Sequence, residues 1–160
     1  MILVTVGTNE APFDRLVRAL DAIPPGEPVF VQRGASRVEP ARAEWVDFLP
    51  FDELAARVRG ARVVVTHAGI GSILVALANG RRPVVVPRLH RFGEAVDDHQ
   101  VPIARRLHDA GLVTLVEQPE ALAGALAAGA ESGAVEAGGQ DGRLVADLRE
   151  HLAALVGRRP

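Results

Sequence analysis

The sequence predicts an α/β fold built on a doubly wound, mainly parallel sheet, and two observations carry that prediction. Short, strongly apolar, β-branched segments alternate with longer segments of helical period along most of the chain, the order that right-handed parallel crossovers produce. Two of those segments, Val63-Val64-Val65 and Val84-Val85-Val86, are apolar on both faces, as strands covered by helices on each side must be.

Taken in order, the first strand runs from Ile2 to Val6. The first helix starts near Pro12, with Phe13, Leu16, Val17, Leu20 and Ile23 forming one buried stripe at the spacing of a helical face. Val29 to Gln32 is the second strand and Trp45 to Phe48 a weaker third; a short helix over Phe51 to Arg59 leads to the fourth, Val63 to Thr66. The next helix begins just after Gly69-Ile70-Gly71-Ser72 and stops at Asn79-Gly80, where a left-handed residue caps it. Val84 to Val86 is the fifth strand. A fourth helix starts at Asp97 or Asp98, either of which can N-cap, holds Pro102 within its first turn and ends at Gly111, ahead of a last strand from Val113 to Val116. Ala121 to Ala128 reads as helix. The chain then divides into an α/β domain over 1–128, a Gly/Ala/Ser/Glu-rich loop or linker over 129–142, and a helix within 143–160. The last carries a leucine stripe at Leu144, Leu148, Leu152 and Leu155 that packs on the domain or on a partner.

Composition narrows the function classes. A chain of 160 residues fits one ordinary domain, and 48% apolar with 24% charged residues is a globular balance with no run long enough to span a bilayer. Twenty acidic against 18 basic residues, a net charge of −2, leave no diffuse positive field for nucleic acid or an anionic membrane. With no cysteine there are no disulfides, thiolate metal sites or thiol nucleophile, and MILVTVG lacks the features of a secretion signal, so a cytoplasmic setting is expected. Every basic residue is Arg, which removes Schiff-base chemistry and a P-loop lysine.

In open parallel sheets ligands bind beyond the carboxyl ends of the strands, so the loops there hold the candidate site. Thr66-His67-Ala68-Gly69-Ile70-Gly71-Ser72 joins a buried strand to a helix. Its glycines let backbone amides approach an anion at the helix N-terminus; the same residues also read as a tight turn with Ser72 as N-cap. Gly7-Thr8-Asn9 repeats the design more weakly, or is a turn with Thr8 or Asn9 as cap. It lacks G-x-G-x-x-G, and the second strand ends in Gln32 rather than an acidic ribose ligand, which argues against a dinucleotide. Pro87 to Gln100 is a long polar loop ending in Asp97-Asp98-His99-Gln100, where His99 and Gln100 point toward the cleft of His67 and Ser72, or belong to a capped helix with solvated charges. His67, Asp97, Asp98 and His99 lack zinc-ligand spacing, and no G-x-S-x-G elbow supports a Ser72 hydrolase.

These residues resemble a known family. VTVGT, Val31-Gln32-Arg33-Gly34, VVVTHAGIGSILVAL over Val63 to Leu77, and PVVVPRLHRFGEAVDDHQ look like the C-terminal domain of glycosyltransferase family 28. The likeness runs over about Met1 to Val116, and is nearest to small bacterial exopolysaccharide subunits of the PssE type. Those are similar to the donor-binding subunit of the eukaryotic two-chain UDP-GlcNAc transferase. The resemblance implies the Rossmann-like, donor-binding half of a GT-B enzyme, inverting, acting on a UDP-hexose or UDP-hexuronate and a polyprenyl-diphosphate-linked saccharide. It implies no metal and no cofactor beyond the UDP-sugar. The acceptor half is then supplied by a membrane-anchored partner, which holds this chain peripherally at the inner membrane face.

By the same resemblance, His67, Gly69, Gly71 and Ser72 line the diphosphate and nearby sugar, and His99 and Gln100 contact the donor sugar. Thr8 and Asn9 face the cleft between the halves, Phe51 lies near the uracil, Gln32 ends the second strand, and Arg88 follows the strand that ends at the same cleft. His67 is a candidate base. Where many relatives carry Glu for the ribose hydroxyls this sequence has Val75, so another residue holds the ribose or nucleotide affinity is weak. A non-catalytic subunit that stabilises or activates a membrane-anchored transferase is the alternative.

Overall fold

Residues 1–128 are described by the computed structural model; the expected linker and last helix lie outside the described residues. The chain runs β1 (Ile2–Thr5), α1 (Asp14–Ala19) with a 3-10 continuation over Leu20–Ala22, β2 (Val29–Gln32), β3 (Glu44–Val46), α2 (Phe51–Gly60), β4 (Val63–His67) and α3 (Ile70–Ala78). It continues through β5 (Val84–Val86), α4 (Gln100–Asp109), β6 (Thr114–Leu115) and α5 (Leu122–Ala127). The six strands lie in the order β3-β2-β1-β4-β5-β6, and every neighbouring pair is parallel.

Winding begins at the centre, runs outward through β2 and β3, then restarts at β4 on the other side of β1. That reversal is the topological switch point, where the loops after β1 and β4 diverge to opposite faces and leave a crevice. The register pairs Thr5 with both Gln32 and Thr66, so three polar residues stand in a row at the carboxyl edge.

The valine triplets divide as a two-faced sheet requires. Val63, Val65, Val84 and Val86 pack with Phe13, Leu16 and Val17 of the α1 region and Leu122 of α5. Val64 joins Leu3, Phe30, Val58 of α2 and Val75 and Ala76 of α3, while Val85 joins Ile73 and Leu77 of α3 and Ala104 of α4. The domain is therefore three-layered, with α1 and α5 on one face and α2, α3 and α4 on the other.

Several helix starts differ from the sequence expectation. Helix α3 starts at Ile70 with Gly69 as its cap residue, so Ser72 lies inside the first turn and does not cap. Helix α4 starts at Gln100, because neither aspartate caps it: Asp97 Oδ1 accepts from the His99 N–H and bonds the His99 ring, and Asp98 Oδ1 accepts from the His90 N–H. Helix α1 starts at Asp14 rather than near Pro12, and Asn9 closes a local turn by accepting from the Ala11 N–H at 2.8 Å. The C-termini fall where expected: Gly80 (φ 74°) and Gly111 (φ 75°) adopt the left-handed conformation that ends α3 and α4.

Candidate functional site

A cleft of about 460 Å³ opens at the switch point. Its β1 side is Thr5, Gly7, Thr8 and Asn9; its α3 side is His67, Gly71 and Ser72; Gln32 forms the floor and Phe48, Leu49 and Leu54 an apolar wall. The first backbone bond of α3 runs from Ile73 N to Gly69 O, so the amides of Ile70, Gly71 and Ser72 have no helical acceptor. No acidic side chain stands in that first turn, and the helix dipole there favours an anion.

His67 is the most constrained residue of the site. It ends β4 nearly buried, between two glycine backbones. A β-carbon on Gly69 would lie 2.1 Å from its Nε2, and one on Gly7 would lie 2.4 Å from its Cε1. Burial, reinforced by the nearby Arg88 cation, pushes the imidazole down to about 4, while a hydrogen bond with the Thr5 backbone pulls the other way. His67 is therefore neutral at ordinary pH.

Gln32 is buried beneath the cleft with both ends of its carboxamide engaged. Nε2 donates to the carbonyls of Gly7 (3.0 Å) and Asp47 (2.8 Å), and Oε1 accepts from the Thr5 hydroxyl. It ties the loop after β1 to the loop after β3. The left-handed Gly34 (φ 56°) completes this floor, since a β-carbon there would meet the Gly7 carbonyl oxygen at 2.7 Å.

Of the residues expected from the sequence, Thr8, Asn9, Gln32, His67, Gly71 and Ser72 meet around this one cleft. Gly69 stands directly behind the His67 ring. Arg88, Gln100, His99 and Phe51 do not line it. Arg88 is 1% exposed and its guanidinium turns inward to backbone carbonyls. Gln100 is buried, with Oε1 accepting from the Arg88 N–H at 3.0 Å. His99 is exposed beside Asp97, and Phe51 starts α2 outside the wall. The sequence reading missed Thr5, Phe48, Leu49 and Leu54; the signal for Phe48 and Leu49 was an apolar pair between the third strand and Pro50. Among the described residues no group of three His, Cys, Asp or Glu stands together as a metal site.

Residues 1–138 match the glycosyltransferase family 28 C-terminal domain. The chain belongs to this family. It is 36% identical over 96 residues to the UDP-N-acetylglucosamine--N-acetylmuramyl-(pentapeptide) pyrophosphoryl-undecaprenol N-acetylglucosamine transferase of Aromatoleum aromaticum, covering 56% of this chain and 26% of that one. It is 43% identical over 56 residues to the UDP-N-acetylglucosamine transferase subunit ALG13 of Yarrowia lipolytica, covering 35% and 26% respectively. The chain thus spans about a quarter of the length of these curated relatives. Among solved structures, the calicheamicin glycosyltransferase CalG4 superposes with a TM-score of 0.58 at 19% identity, over 95% of this chain and 38% of that one, a likeness of fold. The fold is that of the Rossmann-like C-terminal half of a GT-B glycosyltransferase. No helix among the described residues is long and apolar enough to cross a membrane.

Proposed function

We propose that this chain is the donor-binding subunit of a two-component inverting glycosyltransferase, using a UDP-sugar and a polyprenyl-diphosphate-linked saccharide in exopolysaccharide synthesis. One observation carries the reading: the start of α3, whose first amides have no helical acceptor, and an apolar wall line the same cleft. Gly71 and Ser72 at the start of α3 line the cleft together with Thr8 and Asn9, and Phe48, Leu49 and Leu54 line it with apolar surface. A helix N-terminus that favours an anion beside apolar lining suits a nucleoside diphosphate. The donor sugar is a hexose or hexuronate, and the names of the relatives make UDP-N-acetylglucosamine one donor to test.

In the reaction the acceptor hydroxyl attacks the anomeric carbon, the bond from that carbon to the diphosphate oxygen breaks, and UDP leaves with its new charge against the α3 N-terminus. The hydroxyl proton goes to a base. With a pKa near 4, His67 has little proton affinity at neutral pH, so its role here is to hydrogen-bond the donor, and the base belongs to the acceptor-carrying half. That half is proposed to be a membrane-anchored partner, which places this chain at the cytoplasmic face of the membrane; the reading needs no cofactor besides the donor.

A second reading, a non-catalytic subunit that supports a membrane-anchored transferase, is favoured by Val75. This residue is buried against Leu3, Phe30 and Val58 on the sheet-facing side of α3, so position 75 offers no ribose ligand. Calorimetric titration with UDP and UDP-sugars, of the chain alone and with its partner, separates the two: micromolar-range binding supports the donor role, and no binding in either state overturns it.

A further inference from the structure

We propose that Arg88 is a positioning residue of the cleft: from behind, its guanidinium fixes the loop after β1 against His67 and so sets the shape of the cleft at that loop. The proposal rests on the donor-site reading above. Arg88 is among the largest fully buried side chains. One terminal nitrogen, Nη2, donates to the Val6 carbonyl at 2.8 Å; the other, Nη1, donates to the Ala11 carbonyl at 2.9 Å and the Glu94 carbonyl at 3.1 Å. Val6 and Ala11 bracket the segment that carries Thr8 and Asn9 into the cleft, so a single planar group holds both ends of that segment. Gly7, next to Val6, leaves no room for a β-carbon beside the His67 ring. A displacement of Val6 is therefore passed to Gly7 and from Gly7 to the imidazole.

Arg88 is itself fixed. Its backbone N–H donates to Gln100 Oε1 at the start of α4, and its guanidinium carbon stands 4.8 Å from the centroid of the Phe13 ring. The carboxylate nearest to it does not hold its charge directly: Glu94 accepts from Arg15 Nε and Nη2 at 3.0 Å each and from the Leu89 N–H at 3.0 Å. Arg88 Nε has no hydrogen-bond partner among the described residues. Burying a guanidinium this way is unfavourable unless its donors are matched, and an apolar side chain would fill the space at less cost. What the guanidinium adds is a fork that reaches four carbonyls, those of Val6, Ala11, Pro12 and Glu94, from two loops, a geometry a lysine point charge reproduces only in part.

The test compares wild-type protein with Arg88→Met and Arg88→Lys for UDP affinity by calorimetry, with thermal unfolding and amide NMR spectra on the same samples. The expected result is a folded Arg88→Met with spectral changes centred on residues 7–9 and UDP affinity lowered about tenfold or more, partly recovered in Arg88→Lys. A folded Arg88→Met that binds UDP within twofold of wild type overturns the proposal. Should the methionine variant not fold, Arg88→Lys is judged by the same criterion. The guanidinium hydrogens of wild-type Arg88 give a readout free of any variant: they shift on saturation with UDP, and unshifted signals overturn the proposal. Wild-type protein that binds no UDP, either alone or with its partner, overturns the donor-site reading itself, which keeps the two failures apart.

Discussion

The imidazole of His67 occupies the space that a β-carbon on Gly69 would need, with Nε2 2.1 Å from that position. The Gly69 backbone (φ −78°, ψ 127°) is open to any residue, so the glycine is required by the ring and not by the turn. Gly69→Ala is therefore expected to destabilise by about 1–3 kcal/mol through overpacking. In Gly69→Ala/His67→Ala the clash is gone, and the double variant should be more stable than the sum of the single effects by about 1 kcal/mol or more. Urea unfolding of the three proteins measures this; additive effects would refute a direct steric coupling.

The low basicity of His67 makes stability depend on pH. Its pKa is about 4 in the folded protein against 6.5 for an ordinary imidazole, so the unfolded chain binds the proton more readily. The stabilisation is complete above pH 6.5 and is lost as pH falls from 6.5 toward 4, to an extent on the order of 3 kcal/mol over the whole interval. The carboxylate of Glu27, lowered from 4.5 to about 2 mainly by its hydrogen bond to Arg62, loses its own contribution only below pH 4.5. The interval from 6.5 to 4.5 thus separates the histidine from that carboxylate. Denaturation midpoints that fall between pH 7 and 5 in wild type and fall less in His67→Gln are expected; equal slopes count against the assignment.

Phe48 and Phe51 distinguish the wall observed from the one expected. Phe48 lines the cleft and is 57% exposed, whereas Phe51 lies at the start of α2 outside it. On the donor reading, Phe48→Ala removes the aromatic surface facing the base and should weaken UDP binding by about 1 kcal/mol, several-fold in affinity, with little change in stability. Phe51→Ala should leave affinity near wild type. The reverse ranking in calorimetry would restore the sequence-based placement.

That contrast shows why some of the site is legible in the sequence and some is not. Valine triplets and glycine-bearing loops are local signals: burial on both faces demands the first, and close backbone approach demands the second. Phe48 is different because its position depends on where β3 ends. The strand pairs only Glu44, Trp45 and Val46 with β2, and Gln32 then draws the Asp47 carbonyl toward the floor, which turns Phe48 into the cleft. Arg88 is different again. An arginine two residues past a buried strand reads as an anion ligand, and nothing nearby in sequence reports that carbonyls at Val6 and Ala11, some eighty positions away, are its partners. His67 and the α3 amides were recoverable because strand, loop and helix start are contiguous. The contacts of the loop after β5 are not legible locally, because its side chains fold back on one another and on α1.

Gly71 offers the sharpest test of the cleft itself. It lines the opening, and a β-carbon there meets nothing within 4 Å, so a larger side chain enters free space instead of the protein. Gly71 is also the second residue of α3, with a backbone that any helix former adopts, and replacing glycine in a helix removes an entropic cost of about 0.5–1 kcal/mol. Gly71→Leu is thus expected to keep or slightly raise the thermal midpoint. The leucine side chain would at the same time stand where the diphosphate must approach the free amides of Gly71 and Ser72, and UDP affinity should fall at least about thirtyfold, roughly 2 kcal/mol. Calorimetry beside a thermal unfolding curve reads both quantities from one preparation. A stable Gly71→Leu that still binds UDP as tightly as wild type would move the nucleotide out of this cleft, and with it the case for a donor subunit.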